Sequence, residues 1–152
     1  MYNFKIEKCN ILDKVATALA ICVTTNGVVK SNGELVMGAG VAKQFAIEFP
    51  SIPGILGAKV SKYGNHVYEC GSIYDTTVLS FPTKHNYKDK SDLELIKQSA
   101  KRLVKWANVN SVESESCIYI PSPGTGLGGL DKSVVYHELN KILDNRFVIC
   151  TK

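Results

Sequence analysis

The hydrophobic positions of this chain change period several times, and each change marks an element. Over residues 2–7, Phe4 and Ile6 alternate with polar Asn3, Lys5 and Glu7, the two-residue period of a strand. Residues 16–23 form a continuous apolar run that stops at Thr24-Thr25-Asn26-Gly27. A short run closed by a turn predicts a strand buried on both faces. The next stretch, 28–36, contains Asn32-Gly33, a turn signal, and predicts a small hairpin or an inserted loop. From residue 40 the period lengthens. Val41, Ala42, Phe45, Ala46 and Phe49 fall on one face of a helix over 40–49, and Pro50 ends it. A second short helix is expected over 55–63, before Gly64-Asn65, then two strands over 67–70 and 76–81.

The most regular helical pattern begins at Ser91. Ser91-Asp92-Leu93-Glu94 fits a capping box, with the serine oxygen accepting from the first turn and Glu94 reaching back. Leu93, Ile96, Ala100, Leu103, Val104 and Ala107 then repeat at helical spacing. A buried strand over 117–120, a helix over 132–143 through Val135, Leu139, Ile142 and Leu143, and a strand over 147–150 complete the chain. Strands alternating with helices predict a sheet covered by helices on both faces. No internal repeat, low-complexity stretch or linker divides it, so residues 1–152 read as one domain.

Composition narrows the class. Of the 152 residues, 45% are hydrophobic and 21% charged, enough for a sizeable core and typical of a soluble globular protein. No apolar stretch approaches the ~20 residues that span a bilayer, and the first residues lack the pattern of a signal peptide. A cytoplasmic protein without a membrane partner is expected. The five cysteines, Cys9, Cys22, Cys70, Cys117 and Cys150, show no metal-binding spacing. Several sit in apolar runs and read as buried free thiols, with neither a disulfide nor a zinc framework expected. The formal net charge of +4 suits an anionic ligand or nucleic acid. No dense basic block with interleaved aromatics marks a dedicated nucleic-acid module.

Two glycine-rich loops carry the candidate chemistry: MGAG at 37–40 and PSPGTGLGGLDK at 121–132. Each precedes a predicted helix, and the second follows a predicted strand. Helix starts present unpaired N–H groups and partial positive charge, and glycine lets the backbone approach an anion closely. Neither loop is a Walker loop, because no Gly-Lys-Ser/Thr follows, and the spacing of Gly124, Gly126, Gly128 and Gly129 does not fit a dinucleotide fingerprint. One such loop alone reads as a tight turn. Two in one open α/β sheet can meet at the strand ends, where such folds bind ligands.

With these motifs the chain resembles the macrodomains, which bind ADP-ribose. The resemblance runs nearly end to end: NIL at 10–12, TTNG at 24–27, MGAGVAKQF at 37–45, FPTKH at 81–85 and PGTGLGGLD at 123–131. MGAG-x-A with a strand ending in Thr-Lys is similar to the terminal ADP-ribose glycohydrolase class. FPTKH with G-x-G-x-GGLD is more similar still to the antitoxin macrodomains that strip ADP-ribose from DNA. The resemblance implies a three-layer α/β/α domain with a mixed, mostly parallel central sheet flanked by helices. It places Asn10 and Ile11 at the adenine. Met37, Gly38, Ala39, Gly40 and Val41 on one side, and Pro123, Gly124, Thr125, Gly126, Leu127 and Gly128 on the other, would embrace the diphosphate and distal ribose. Thr25, Asn26 and Thr83 join the ligand-binding set, Asn26 near the distal ribose.

For catalysis the resemblance points to Lys84, the lysine after the strand-ending threonine. Its amine can attack or polarise an anomeric carbon. Asp131 is the second candidate, although the resembled glycohydrolases place their acid directly after G-x-G-L, where this chain has Gly128. Asp131 can equally cap the last helix. His85 can supply a proton, or stand by. Tyr87 can stack on a ligand or substrate base, and Trp106 and Tyr136 carry no assigned role. The implied function is a hydrolase removing ADP-ribose from modified DNA or protein, with no cofactor or metal, acting as a monomer. A reader of ADP-ribose without turnover, and a phosphatase for ADP-ribose 1″-phosphate, are the alternatives. Lys84 is the feature that separates enzyme from reader.

Overall fold

The computed structural model describes residues 1–152 as a six-stranded sheet between two helical layers. The strands are β1 (Lys5–Lys8), β2 (Ala20–Thr25), β3 (Glu69–Ile73), β4 (Thr76–Pro82), β5 (Ile118–Pro121) and β6 (Phe147–Thr151). The helices are α1 (Val41–Glu48), α2 (Ile52–Tyr63), α3 (Leu93–Val109) and α4 (Lys132–Asn140). Single 3-10 turns occupy Ile11–Lys14 and Gly126–Gly128. The sheet order is β1-β6-β5-β2-β4-β3. Every neighbouring pair is parallel except β3 with β4, which forms an antiparallel edge. Helices on both faces are what the alternation of elements predicts, and the mixed, mostly parallel three-layer arrangement is what the resemblance implies.

Strand β2 shows why the sheet is covered on both sides. Ala20 and Cys22 pack with Ile96, Leu103, Val135 and Leu139 of α3 and α4. Ile21 and Val23 point the opposite way and pack with Phe45, Ile52 and Leu56 of α1 and α2. All four β2 residues are fully buried. Successive side chains of a strand leave opposite faces, so an unbroken apolar run is what two flanking layers require. From the wall at β2 the chain goes outward to β4 and β3 on one side, and to β5, β6 and β1 on the other. Where strand order diverges in this way, the carboxyl ends of the parallel strands border a crevice.

Several boundaries differ from the sequence reading, each for a tertiary reason. The apolar run from residue 16 enters the sheet only at Ala20. Ala16 adopts φ 76°, and its N–H donates to Thr76 Oγ1 at 2.9 Å, while Thr76 Oγ1 donates to the carbonyl of Ala18 at 2.7 Å. A buried hydroxyl on a distant strand thus holds residues 16–19 as a turn. Helix α3 is capped by Asp92, whose Oδ1 accepts from the N–H groups of Glu94 and Leu95. Ser91 is not the cap. The 28–36 stretch is a small hairpin, bridged between Val29 and Leu35.

The cysteine reading needs correction. Cys9 and Cys150 are joined in a disulfide across 141 residues, with Cα atoms 5.6 Å apart. Parallel pairing sets Glu7 opposite Cys150 and Lys8 opposite Thr151, which brings Cys9 alongside. Their remoteness in sequence concealed this. Cys22 and Cys70 are buried free thiols, and burial pushes both upward, Cys70 to about 12.

Gly57 fixes α2 against the hairpin. A Cβ there would stand 1.9 Å from the carbonyl oxygen of Gly33 and 2.9 Å from the nitrogen of Leu35. The hairpin backbone lies directly on the helix, and Leu35 donates its N–H to Pro53 O at 2.9 Å. In an exposed helix interior, glycine to alanine gains about 1 kcal/mol. Here the sign should reverse: Gly57→Ala is expected to destabilise the fold by about 2 kcal/mol or more. Urea unfolding of the variant checks this, and a midpoint at or above that of the parent would contradict the contact.

Candidate functional site

The carboxyl ends of β1, β6, β5, β2 and β4 open on a crevice of about 1340 Å³. Its wall includes Cys9, Asn10 and Ile11 after β1, Thr24, Thr25 and Asn26 at β2, and Thr83 and Lys84 after β4. Both glycine loops reach it: Gly38, Ala39, Gly40 and Val41 from one side, and Gly124, Thr125, Gly126, Leu127 and Gly128 from the other. Of the ligand-binding residues expected from sequence, only Met37 and Pro123 stay out of the lining. The fold therefore brings together loops that are far apart along the chain.

The first loop delivers a bare helix start. Gly40 precedes α1 with φ 64° and offers no side chain to cap it. The N–H groups of Val41, Ala42 and Lys43 find no acceptor within the protein, and the first turn carries no acidic residue. Such a helix end attracts an anion through directed donors and the helix dipole. The second loop works differently from the expected helix start. It folds into the 3-10 turn Gly126–Gly128, and α4 begins only at Lys132. In this turn the N–H groups of Thr125, Gly126 and Leu127 take no protein acceptor. Successive free N–H groups in a tight turn form an anion-binding concavity of their own.

The glycines of the second loop serve distinct ends. At Gly126, φ is 63° and nothing lies within 4 Å of a would-be Cβ, so that position faces open space in a left-handed conformation. At Gly128, a Cβ would stand 2.4 Å from Ser91 Oγ. That glycine lets the loop pack on the segment leading into α3, where Ser91 donates its N–H to Gly128 O at 2.9 Å. Ser91 is 7% exposed and its hydroxyl has no hydrogen-bond partner. Below the loop, Ser122 Oγ lies 2.7 Å from the Tyr136 hydroxyl and 3.0 Å from Thr125 Oγ1. Tyr136, 2% exposed, therefore braces the loop from the core, a role its sequence context does not reveal.

Lys84 follows directly on β4 and Thr83. Its N–H donates to Thr25 O at 3.4 Å, and its carbonyl accepts from Asn65 Nδ2 at 3.0 Å. Backbone bonds on both sides thus aim the side chain from a fixed base, and it lines the crevice. No carboxylate pairs with the amine. The neighbouring His85 turns to α3 instead, where its Nε2 lies 2.8 Å from Asp92 Oδ2. That bond holds the Asp92 carboxyl below its usual range and ties the loop after Lys84 to the start of the helix.

The polar groups of two expected residues are taken by backbone and side-chain partners, Asp131 outside the crevice and Asn26 within its wall. Asp131 caps α4, its Oδ1 accepting from the Ser133 N–H at 2.9 Å and the Ser133 hydroxyl at 2.7 Å, and it is absent from the crevice wall. Asn26 is 5% exposed. Its amide donates to Val36 O at 2.7 Å and accepts from the Val28 N–H at 2.8 Å, closing the base of the hairpin. The sequence reading also missed Lys8, Lys132 and Lys152 of the rim. Lys8, Lys88, Lys90, Lys132 and Lys152 join Lys84 in the lining, with Asp89 the one carboxylate among them. Lys8, Lys132 and Lys152 lie far in sequence from the 84–90 segment, so no basic block marked them.

This sheet order, with its helical layers, is the fold of the macrodomains. Its likeness is to macrodomains of DarG. The Thermus aquaticus DarG macrodomain is 28% identical, with 98% of this chain and 97% of that one covered at a TM-score of 0.73. The Mycobacterium tuberculosis DarG macrodomain is 22% identical, at 97% and 98% coverage and a TM-score of 0.76. Thermosipho africanus DarTG in complex with ADP-ribose is also 22% identical, with a TM-score of 0.78; 99% of this chain aligns, spanning 42% of that longer one. The latter two share the fold. No family model and no curated protein matches the chain. No helix is long and apolar enough to cross a membrane.

Asp92 links helix stability to the loop behind Lys84. Asp92→Ala should cost about 1 kcal/mol at neutral pH, the usual value of a lost N-cap. A carboxyl held low in the folded state contributes its stability above the ordinary carboxylate pKa and loses it as pH falls through the folded-state value. The difference between variant and parent should therefore narrow on acidification below about pH 4. Urea titrations at neutral and acid pH measure both effects.

Proposed function

We propose that this macrodomain binds ADP-ribose in the crevice and removes it from a modified macromolecule, DNA being the favoured carrier, with Lys84 as the catalytic residue. The observation that carries the reading is the pair of backbone cradles at α1 and at 125–127, with an unpaired lysine on the same crevice. Two cradles suit a diphosphate flanked by sugars. The turn at Asn10 and Ile11 supplies a site for the adenine at the far strand ends. Lys84 lines the same crevice, and this reading assigns it to the distal ribose. In the proposed reaction the bond from the anomeric carbon to the carrier breaks, the carrier departs with a proton, and water supplies the hydroxyl of free ADP-ribose. Asp131 is assigned to the helix cap, so Lys84 acts without it. The preference for DNA follows from the FPTKH and GGLD motifs and from the likeness to the DarG macrodomains.

The binding half is tested at Gly126. A valine there meets no core atom, so the fold should survive, but a β-branched residue is disfavoured at positive φ. Its side chain would also occupy the open face of the loop. Gly126→Val should raise the Kd for ADP-ribose by about tenfold or more, a loss of ~1.4 kcal/mol. Calorimetry beside a circular-dichroism melt separates lost binding from lost fold. Parent-like binding would show that the loop is not a phosphate cradle.

The catalytic half is tested at Lys84. Lys84→Ala should nearly abolish release of ADP-ribose from a modified oligonucleotide while binding of free ADP-ribose changes little, because backbone N–H groups hold the diphosphate. Single-turnover release and calorimetry on one preparation give both numbers. A parallel fall in the two would make Lys84 an anion-attracting group, and full turnover by the variant would overturn the assignment. Parent protein that binds ADP-ribose and releases none from DNA or protein would be a reader.

A further inference from the structure

The disulfide between Cys9 and Cys150 lies in the wall of the crevice. Both cysteines line it, beside Asn10, Ile11 and Thr151. Cys9 is half-buried and Cys150 is 6% exposed, so Cys9 is the more accessible partner. β1 is an edge strand, hydrogen-bonded to β6 alone. The pairing continues one residue past its end, where the Cys9 N–H donates to Thr151 O at 2.9 Å. Beyond that point the chain leaves the sheet. Asn10 is exposed, and its side-chain oxygen and carbonyl accept from Leu12 and Asp13 within its own turn. Ile11 packs in the same buried cluster as Cys150. The disulfide therefore ties the end of β6 to the residue that precedes Asn10 and Ile11.

This fold does not lack a core that a staple would replace. Clusters of 18 and 12 buried residues flank the sheet, and Cys22, Cys70 and Cys117 are free thiols. Dependence on disulfides belongs to small domains without such a core. One disulfide, set in the wall of a ligand crevice with one half-buried partner, has the placement of a redox switch.

We infer that Cys9 and Cys150 form a redox switch on the adenine end of the crevice: the disulfide holds Asn10 and Ile11 in place for ADP-ribose, and reduction to two thiols loosens that wall and weakens binding. The inference rests on the proposed ADP-ribose site, with the adenine at Asn10 and Ile11. Reduction takes two exchanges with a dithiol reductant. One of its thiolates attacks Cys9 Sγ, the bond to Cys150 breaks, and Cys150 leaves as a thiolate and takes up a proton. The second thiolate of the reductant then attacks the mixed disulfide at the reductant's own sulfur. The reductant leaves as a disulfide, Cys9 is released and protonated, and two electrons have passed to the cysteine pair. A disulfide oxidant such as oxidised glutathione drives the reverse. A wall already ordered by a covalent bond costs less to order on binding, so the oxidised form is the tighter binder. By linkage, ADP-ribose favours the disulfide by the same factor.

The test compares oxidised parent, parent reduced with dithiothreitol, and C9S/C150S by calorimetry of ADP-ribose, with circular-dichroism melts beside it. The oxidised parent should bind about fivefold more tightly than the reduced parent. C9S/C150S should match the reduced parent, with or without reductant. A second measurement needs no variant: the parent is equilibrated in glutathione redox buffers, alkylated and weighed by mass spectrometry. Saturating ADP-ribose should lower the midpoint potential of the pair by about 20 mV, the equivalent of fivefold for a two-electron couple. Equal affinity of the oxidised and reduced forms, or a midpoint that ADP-ribose leaves unmoved, would overturn the switch. So would a pair that stays reduced in excess oxidised glutathione, a reduced parent that no longer folds, or a reductant effect that persists in C9S/C150S. These results would leave the proposed function standing, provided the oxidised parent binds ADP-ribose. An oxidised, folded parent that binds none refutes the proposed function and the switch together.

Discussion

The parallel pairing of β2 with β4 on one side and β5 on the other organises this molecule. It aligns the carboxyl ends of these strands, so that Thr25, Thr83 and Ser122 open on a common crevice. It also leaves both faces of β2 to be covered, one by α1 and α2 and the other by α3 and α4. The two cradle loops are the links from the strand ends into those opposite layers: one enters α1, the other leads to α4. Core and site thus share one cause. A strand buried on both faces sends its neighbours' connections to both sides, and those connections meet over its end.

In the proposed reading, backbone more than side chains builds the binding surface. At α1 the donors are free because Gly40 offers no cap. At 125–127 they are free because the turn closes its bonds through Gly128, Gly129 and Leu130 instead. The side chains around them stabilise this arrangement from outside. Tyr136 and Ser122 brace the second loop, Asn26 holds the hairpin next to the first, and His85 with Asp92 ties down the loop after Lys84. Lys84 itself is held through its peptide groups. An amine on a fixed backbone in the same crevice as these donors is what the proposed reaction asks of Lys84.

Most lysines, on the helices as in the crevice, are unpaired, Lys97 with Glu94 and Lys141 with Glu138 being exceptions. The crevice gathers six unpaired lysines, with Asp89 the one acidic side chain in the lining. The modest net charge of +4 therefore understates the local field. A cleft lined by one sign of charge draws anions toward it and raises their local concentration.

The chain's own patterning was sufficient for most of the architecture. Period-two and unbroken apolar runs announced strands, the spacing from Leu93 to Ala107 announced α3, and the glycine motifs located both loops. These features are local, because an element's exposed and buried positions recur within a few residues. Tertiary structure decided what depends on partners distant in sequence. Thr76 held Ala16–Leu19 out of β2, and Asp92 displaced Ser91 as the cap because Ser91 packs under Gly128. The pairing of β1 with β6 brought Cys9 to Cys150. Asn26 went to the hairpin and Asp131 to α4, since each polar side chain took the nearest unpaired backbone groups. The rim of lysines belongs to the same category. Lys8, Lys132 and Lys152, separated along the chain, join the lysines of the 84–90 segment only when the parallel strands bring their ends together.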